Sequence, residues 1–547
     1  MKLLNSLDAS FIDAEDQDRN ASFAIASIAV FEGPAPSYEE FLAAIRRRLP
    51  LVPIYRRKLR KVPFNLGPPV WVDDPNFDLR YHVRQTALPA PGGDQQLRRL
   101  MARVMTERLD RDYPLWEYWL IEGLDQGRWA LISKVHHCMV DGVSATDLYR
   151  VIFDASPEPP PLPEVEERPV PSEPSGLELA ARAVLNSALL LLQDGGVIQR
   201  TLANPEVAVR QATEAFRGVV RMAEALPPAA RSSLSGPIGR QRRYVWARAS
   251  LADVKMIKNI LGGTVNDVFL AAISSGFRAL LLARGEEPTP SMIPSLVPVS
   301  LRSEGEESIY ENRVSALVAN LPVDIADPVE RLAAIRTQMA ALKESNEATV
   351  GEAIVTLRRY TPFALASMFV RLAFSLPQRE IVTVTTNVPG PQQPLYGLGH
   401  RLVEIIPYVP IATTLRTGIS IFTYCGQVTF GITGDYTTTP DISVLAAAIE
   451  EGVAELVEAA ENYTKNEQAG EHEHAEGSTA AQVGDASPRA TASAPTVAPE
   501  AHGASKAAKS AKASETSKAA KTAKSATAPR PGKKSQSGPA ARHPIAS

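Results

Sequence analysis

Between residues 156 and 176 the chain reads SPEPPPLPEVEERPVPSEPSG, with eight prolines. Proline has no backbone N–H and its ring clashes with the preceding helical turn, so neither a helix nor an inner strand can run through such a stretch. The acids between the prolines keep it solvated and semi-extended. The chain is therefore expected to fold as halves on either side of a linker, and 547 residues are enough for two such units.

The hydrophobic periodicity gives both halves the same class, mixed α/β. In residues 1–155 it predicts a strand over 23–31, helices over 38–49 and 94–108, and a strand over 129–135. Residues 156–239 hold the linker and two amphipathic helices, 177–193 and 206–226. Glu178, Arg182, Asn186 and Gln193 form a polar stripe on the first of these, which suits packing on the body or lying in a lipid interface. Residues 240–465 repeat the α/β pattern. Strands are expected over 244–249, 295–301, 315–323 and 381–387, with a hairpin of 418–424 and 427–433 around Cys425-Gly426. Helices are expected over 251–261, 268–284, 330–345 and 442–463. From 466 to 547 the chain is an Ala/Lys-rich tail without large apolar residues, and it is expected to be disordered.

Charge narrows the partners. From Gly503 onward there are ten Lys/Arg against one Glu, so the net charge of −3 hides a basic tail on an acidic body. An acidic body gives no electrostatic reason to expect a specific nucleic acid. Arg56-Arg57-Lys58-Leu59-Arg60-Lys61 is either a solvated face or a landing site for the phosphates of a cofactor or lipid. The two cysteines, Cys138 and Cys425, exclude a disulfide framework. The N-terminus does not read as a signal peptide, and no charge-free apolar run of membrane-spanning length occurs. The expected compartment is the cytoplasm.

The chemistry concentrates in residues 129–153, WALISKVHHCMVDGVSATDLYRVIF. An alternating apolar strand ends at His136 and His137, Asp141-Gly142 follow, and a helical pattern begins near Ser144. Neighbours on an extended segment point to opposite faces, so the two histidines should not share a role. A metal site needs three or four ligands, and the body offers only His82, His136, His137, His400 and the two cysteines. A structural histidine at a strand end and a general base both remain open. A neutral imidazole suits deprotonation of a hydroxyl near pH 7, and Gly142 permits a tight turn. There is no GxSxG elbow, P-loop or GxGxxG fingerprint, so nucleophilic serine, nucleotide and Rossmann chemistry lack support. Direct acyl transfer from a thioester fits what is left, because such an enzyme need only position two substrates and remove one proton.

His136-His137-Cys138-Met139-Val140-Asp141-Gly142 matches the HHxxxDG motif of the bacterial wax ester synthase/diacylglycerol acyltransferase family. Leu109-Asp110-Arg111 and Pro114-Leu115-Trp116 resemble that family's LDR…PLW segment, and Asn266-Asp267 its ND motif. Residues 298–302, Asn387-Val-Pro-Gly-Pro391 and Phe430-Gly431…Asp435 are also similar to family blocks. The resemblance spans most of residues 1–460. It departs at Phe23-Ala24, where the family usually carries Met-His, and at the tail.

This resemblance implies an α/β fold of two chloramphenicol-acetyltransferase-like halves, joined by a crossover, with a central tunnel. It implies acyl-CoA as donor substrate, diacylglycerol or a long-chain alcohol as acceptor, and no cofactor or metal. His137 would be the base and Asp141 its structural partner, with His136, Gly142, Asn266, Asp267 and Arg302 in support; Arg302 is the arginine expected to meet Asp141. Pro114, Leu115 and Trp116 would shape the tunnel. Trp116 also reads as a core aromatic, and Asn266-Asp267 as a helix N-cap. Apolar substrates imply a protein peripheral to a membrane or lipid droplets. Two other readings are transfer to a carrier-bound or small polar acceptor, and a non-catalytic lipid- or polyanion-binding protein.

Overall fold

The computed structural model describes residues 2–4, 6–139, 152–158, 172–193, 232–300, 314–346 and 381–480. Met1–Gly477 forms one compact unit. The expected helix at 206–226, the helix after Ser144 and the tail beyond 480 lie outside the described residues.

Among the described residues, three sheets organise the unit. Strands β1 (Lys2–Leu3), β4 (Val70–Asp73) and β3 (Arg57–Arg60) make a small one, in the order β1-β4-β3. The N-terminal half is built on six strands in the order β12-β13-β2-β7-β6-β5. These are β12 (Tyr396–Gly397), β13 (His400–Tyr408), β2 (Ala24–Phe31), β7 (Trp129–His136), β6 (Trp116–Glu122) and β5 (Val83–Ala87). The C-terminal half has a second six-stranded sheet in the order β10-β9-β11-β14-β15-β8. Its strands are β10 (Val314–Leu321), β9 (Ile293–Ser300), β11 (Thr383–Val388), β14 (Thr417–Tyr424), β15 (Gln427–Asp435) and β8 (Arg242–Ser250). Both sheets are mixed, with β5 parallel to β6 and β11 parallel to β9 and β14.

The halves are not separate in sequence. Strand β13 lies between β11 and β14 along the chain, yet it pairs antiparallel with β2 of the other half. Gly431 makes this crossover possible. A Cβ there would overlap the Pro407 carbonyl oxygen of β13, and that oxygen accepts a 2.5 Å hydrogen bond from Tyr244 Oη. Arg248 of β8 clamps the crossing, holding Glu404 through two nitrogens at 2.7 and 2.9 Å and Asp94 at 2.9 Å.

The helices among the described residues are α1 (Ser6–Gln17), α2 (Tyr38–Arg48), α3 (Leu79–His82), α4 (Asp94–Thr106), α5 (Gly176–Gln193), α6 (Leu251–Leu261), α7 (Val265–Ala283), α8 (Pro328–Asn346) and α9 (Ile442–Ala480). Local chemistry sets several of their ends. Ser37 caps α2 in a capping box with Glu40, and Ser250 caps α6. Helix α9 runs well past the expected stop at residue 463. Helix α7 is long and apolar enough to cross a membrane by composition. It carries Asp267 and Arg278, however, and Val268–Ile273 and Phe277 lie fully buried in the core of the C-terminal half.

Of the five cations in the basic segment 56–61 only Lys58 is buried, Lys61 stays exposed, and four meet carboxylates. Arg57–Arg60 form β3, and buried Lys58 pairs with Asp74 at 3.2 Å and Glu173 at 3.0 Å. Arg57 pairs with Asp73, Arg60 with Glu173 and Lys61 with Asp16.

Candidate active site

Strand β7 is held on both sides up to its last residue. His136 sits opposite Ala24 of β2, and its N–H donates to Leu115 O at 2.9 Å. His137 then opens a 3₁₀ turn, His137–Met139, with its N–H donating to Phe23 O at 2.9 Å. The chain leaves the sheet at that point, which separates the two rings as the strand geometry requires.

The His136 ring is 2% exposed. Its Nδ1 accepts the Cys138 N–H at 3.2 Å and lies 3.0 Å from Cys138 Sγ. That acceptor role puts the ring proton on Nε2, which faces Glu15 Oε1 at 3.3 Å. Glu15 comes from α1 and is buried. Its second oxygen accepts Arg111 Nη2 at 2.8 Å, and Oε1 accepts the Phe23 N–H at 2.6 Å. Burial by itself would raise the Glu15 carboxyl, but His136, Arg111 and the Phe23 amide together pull it from 4.5 down to about 2. The carboxylate is thus charged and fixed, and through His136 it fixes the turn that carries His137.

His137 is half-buried, with its ring centroid 4.6 Å from Phe11 at an angle of 57°. Phe11 and Glu15 are four residues apart on α1 and so share one face. One helix face therefore touches both histidines, Glu15 the first and Phe11 the second. Phe23, which stands where the family pattern has Met, packs 5.0 Å from Phe11 and supplies backbone groups to both Glu15 and His137. Sequence reasoning missed α1. The Phe11/Glu15 spacing, which puts both on one helix face, is the signal for it.

The other expected residues fall as follows. Asp141, Gly142 and Arg302 lie outside the described residues. Pro114 and Leu115 are buried, and Leu115 serves through its carbonyl to His136. Trp116 is a core aromatic with no exposed surface. It opens β6, stacks against Tyr55 at 4.7 Å and His82 at 4.5 Å, and donates Nε1–H to Tyr55 O at 2.8 Å. In the second half, Thr264 is the N-cap of α7, in place of the Asn266-Asp267 pair. Thr264 Oγ1 accepts the Asp267 N–H at 3.2 Å, and Asp267 Oδ2 accepts the Thr264 N–H at 2.8 Å. Asp267 thus closes a capping box, and Asn266 is half-buried beside it. Among the described residues, no three His, Cys, Asp or Glu side chains converge in a group able to hold a metal ion.

Two paired α/β halves with a crossover strand, and a histidine held out at a strand end by a buried carboxylate, define an acyltransferase of the HHxxxDG type. Comparison with known proteins narrows the class. Residues 4–269 match the wax ester synthase/diacylglycerol acyltransferase catalytic domain, and residues 310–457 match the WS/DGAT C-terminal domain. A Mycobacterium tuberculosis H37Rv protein named "Probable diacylglycerol O-acyltransferase tgs1" is 40% identical over 465 residues, which is 84% of this chain and 96% of that protein. The solved wax ester synthase/diacylglycerol acyltransferase of Marinobacter aquaeolei VT8 is 26% identical, with a TM-score of 0.60, over 84% of this chain and all of that one. The chain belongs to the wax ester synthase/diacylglycerol acyltransferase family.

Proposed function

We propose that this enzyme transfers an acyl group from acyl-CoA directly to the free hydroxyl of diacylglycerol, with His137 as general base. The observation that carries the mechanism is the Arg111–Glu15–His136 chain, which anchors the turn presenting His137. His137 takes the hydroxyl proton as that oxygen attacks the thioester carbonyl. The carbon–sulfur bond then breaks, and the imidazolium returns the proton to the departing thiolate, leaving triacylglycerol and free CoA. No covalent enzyme intermediate and no resident cofactor is needed, because the thioester is already activated. General-base assistance of this kind is worth roughly 10²–10⁴-fold, and positioning of the two substrates supplies more.

Asp141 is assigned to hold the geometry of the turn and Arg302 to meet it. The buried environments of Pro114, Leu115 and Trp116 favour support of the β6–β7 pair over contact with substrate. Long-chain alcohols, which would give wax esters, are the second acceptor class. With acyl chains on both substrates, the enzyme works peripheral to a membrane or lipid droplet in the cytoplasm.

The test is His137→Ala, read as CoA release from palmitoyl-CoA plus diacylglycerol. Because the ring is half-exposed, the variant should fold, and turnover should fall by roughly 10² or more. Full activity in a folded variant refutes the assignment. A panel of diacylglycerol, long-chain alcohol and small polar acceptors under one thioester readout ranks the acceptors.

A further inference from the structure

Helix α5 is apolar on two faces. Leu179 and Ala183 pack on the β3–β4 hairpin, against Val62, Val70 and Val72. Glu178 and Arg182, joined at 2.7 Å, make a narrow polar stripe. The remaining arc, opposite the packed face, carries Leu177, 83% exposed, with Val184 and Leu185 more than half exposed. A helix this apolar around its circumference is ordinarily covered on all sides.

The hairpin tip beside it adds to the same surface. Phe64 is 92% exposed, and its φ of +57° is a backbone conformation disfavoured for so bulky a side chain. Leu66 on the same tip is 45% exposed. Leu3 of β1, paired with Val70 where β4 leaves the tip, is 48% exposed. A cluster of large apolar side chains held out in this way marks a docking surface.

We propose that the β3–β4 tip and the outward arc of α5 insert together into a neutral lipid surface, from which the N-terminal half takes its diacylglycerol. The inference rests on the acceptor reading above, since a diacylglycerol with two long chains resides in the lipid phase. Electrostatics favours a neutral surface over a polyanion, because Arg57, Lys58, Arg60 and Lys61 near the tip are each paired with a carboxylate. The surface is also tied to the site along the chain. Leu3 leads through buried Leu4 into α1, whose Phe11 rests on His137.

The test is flotation of the full chain with phosphatidylcholine vesicles containing diacylglycerol, at low and high salt. Phe64→Asp and the double variant Leu177→Asp/Val184→Asp change only exposed side chains, so neither should disturb the fold. Each should lower partitioning roughly 10-fold or more. Both should keep turnover on a short-chain, water-soluble diacylglycerol, and binding of the unaltered chain should survive high salt. If both variants float like the unaltered chain, the docking surface is wrong and the acceptor reading stands. Binding abolished by salt assigns the contact to a basic segment and equally overturns the inference. A chain that floats but acylates neither form of diacylglycerol overturns the acceptor reading on which the inference rests.

Discussion

Replacing Glu15 by Gln keeps the shape of the side chain and removes the charge between His136 and Arg111. The carboxylate is 4% exposed, so solvent screens it little. Its descent from 4.5 to about 2 corresponds to roughly 3 kcal/mol of folded-state stabilisation. The folded value is depressed, so this stabilisation is complete above about 4.5 and is lost as pH falls through about 2. For a body of this size the loss should lower the melting temperature by roughly 3 °C near neutral pH. Scanning calorimetry of both proteins from neutral to acid pH should show a constant gap down to about pH 5 and a narrowing gap below it. Turnover at saturating acyl-CoA should fall roughly 10-fold or more, because the turn that aims His137 loses its anchor, while KM for acyl-CoA changes little. A gap that is absent near pH 7, or one that stays unchanged in strong acid, refutes the reasoning.

Other expectations follow from single contacts. Thr264→Ala removes the α7 cap and should cost about 1 kcal/mol in urea denaturation with no change in KM, since the box is structural. Gly431→Ala should prevent soluble folded expression, because a Cβ there meets backbone that cannot move without unpairing β13. Normal expression would show that the crossover is less tightly packed. Trp116→Ala should destabilise by roughly 3–5 kcal/mol. Near-wild-type stability with a lost acceptor preference would return Trp116 to the substrate path.

Much of this enzyme is legible in one chain. Regular periods and serine caps place α2 and α6 within a few residues, because each is specified locally, and the expected bounds of α8 and the β14–β15 hairpin also fall within a few residues. The HHxxxDG motif and its companion blocks point to the acyltransferase family, and strand alternation separates His136 from His137. Shorter or crossing elements escape that reading. Strands β1, β3 and β12 are too short to show a period, and β13 lies in the C-terminal half of the sequence but belongs to the N-terminal sheet. The proline stretch suggests two separate halves, whereas the fold exchanges a strand between them.

The sequence by itself determined the fold class, the capped helices and the motif that carries the chemistry, because these depend on residues close together along the chain. The partners of that motif were decided only by tertiary structure. Glu15 and Arg111 stand more than 90 residues apart and become neighbours through the packing of α1 against the turn that ends β7. Lys58 belongs to a basic run, yet it is buried among acids that fold back onto β3. Charge and polarity in the sequence say what a side chain can do, and only the fold says which opposite charge or which bulk water it meets.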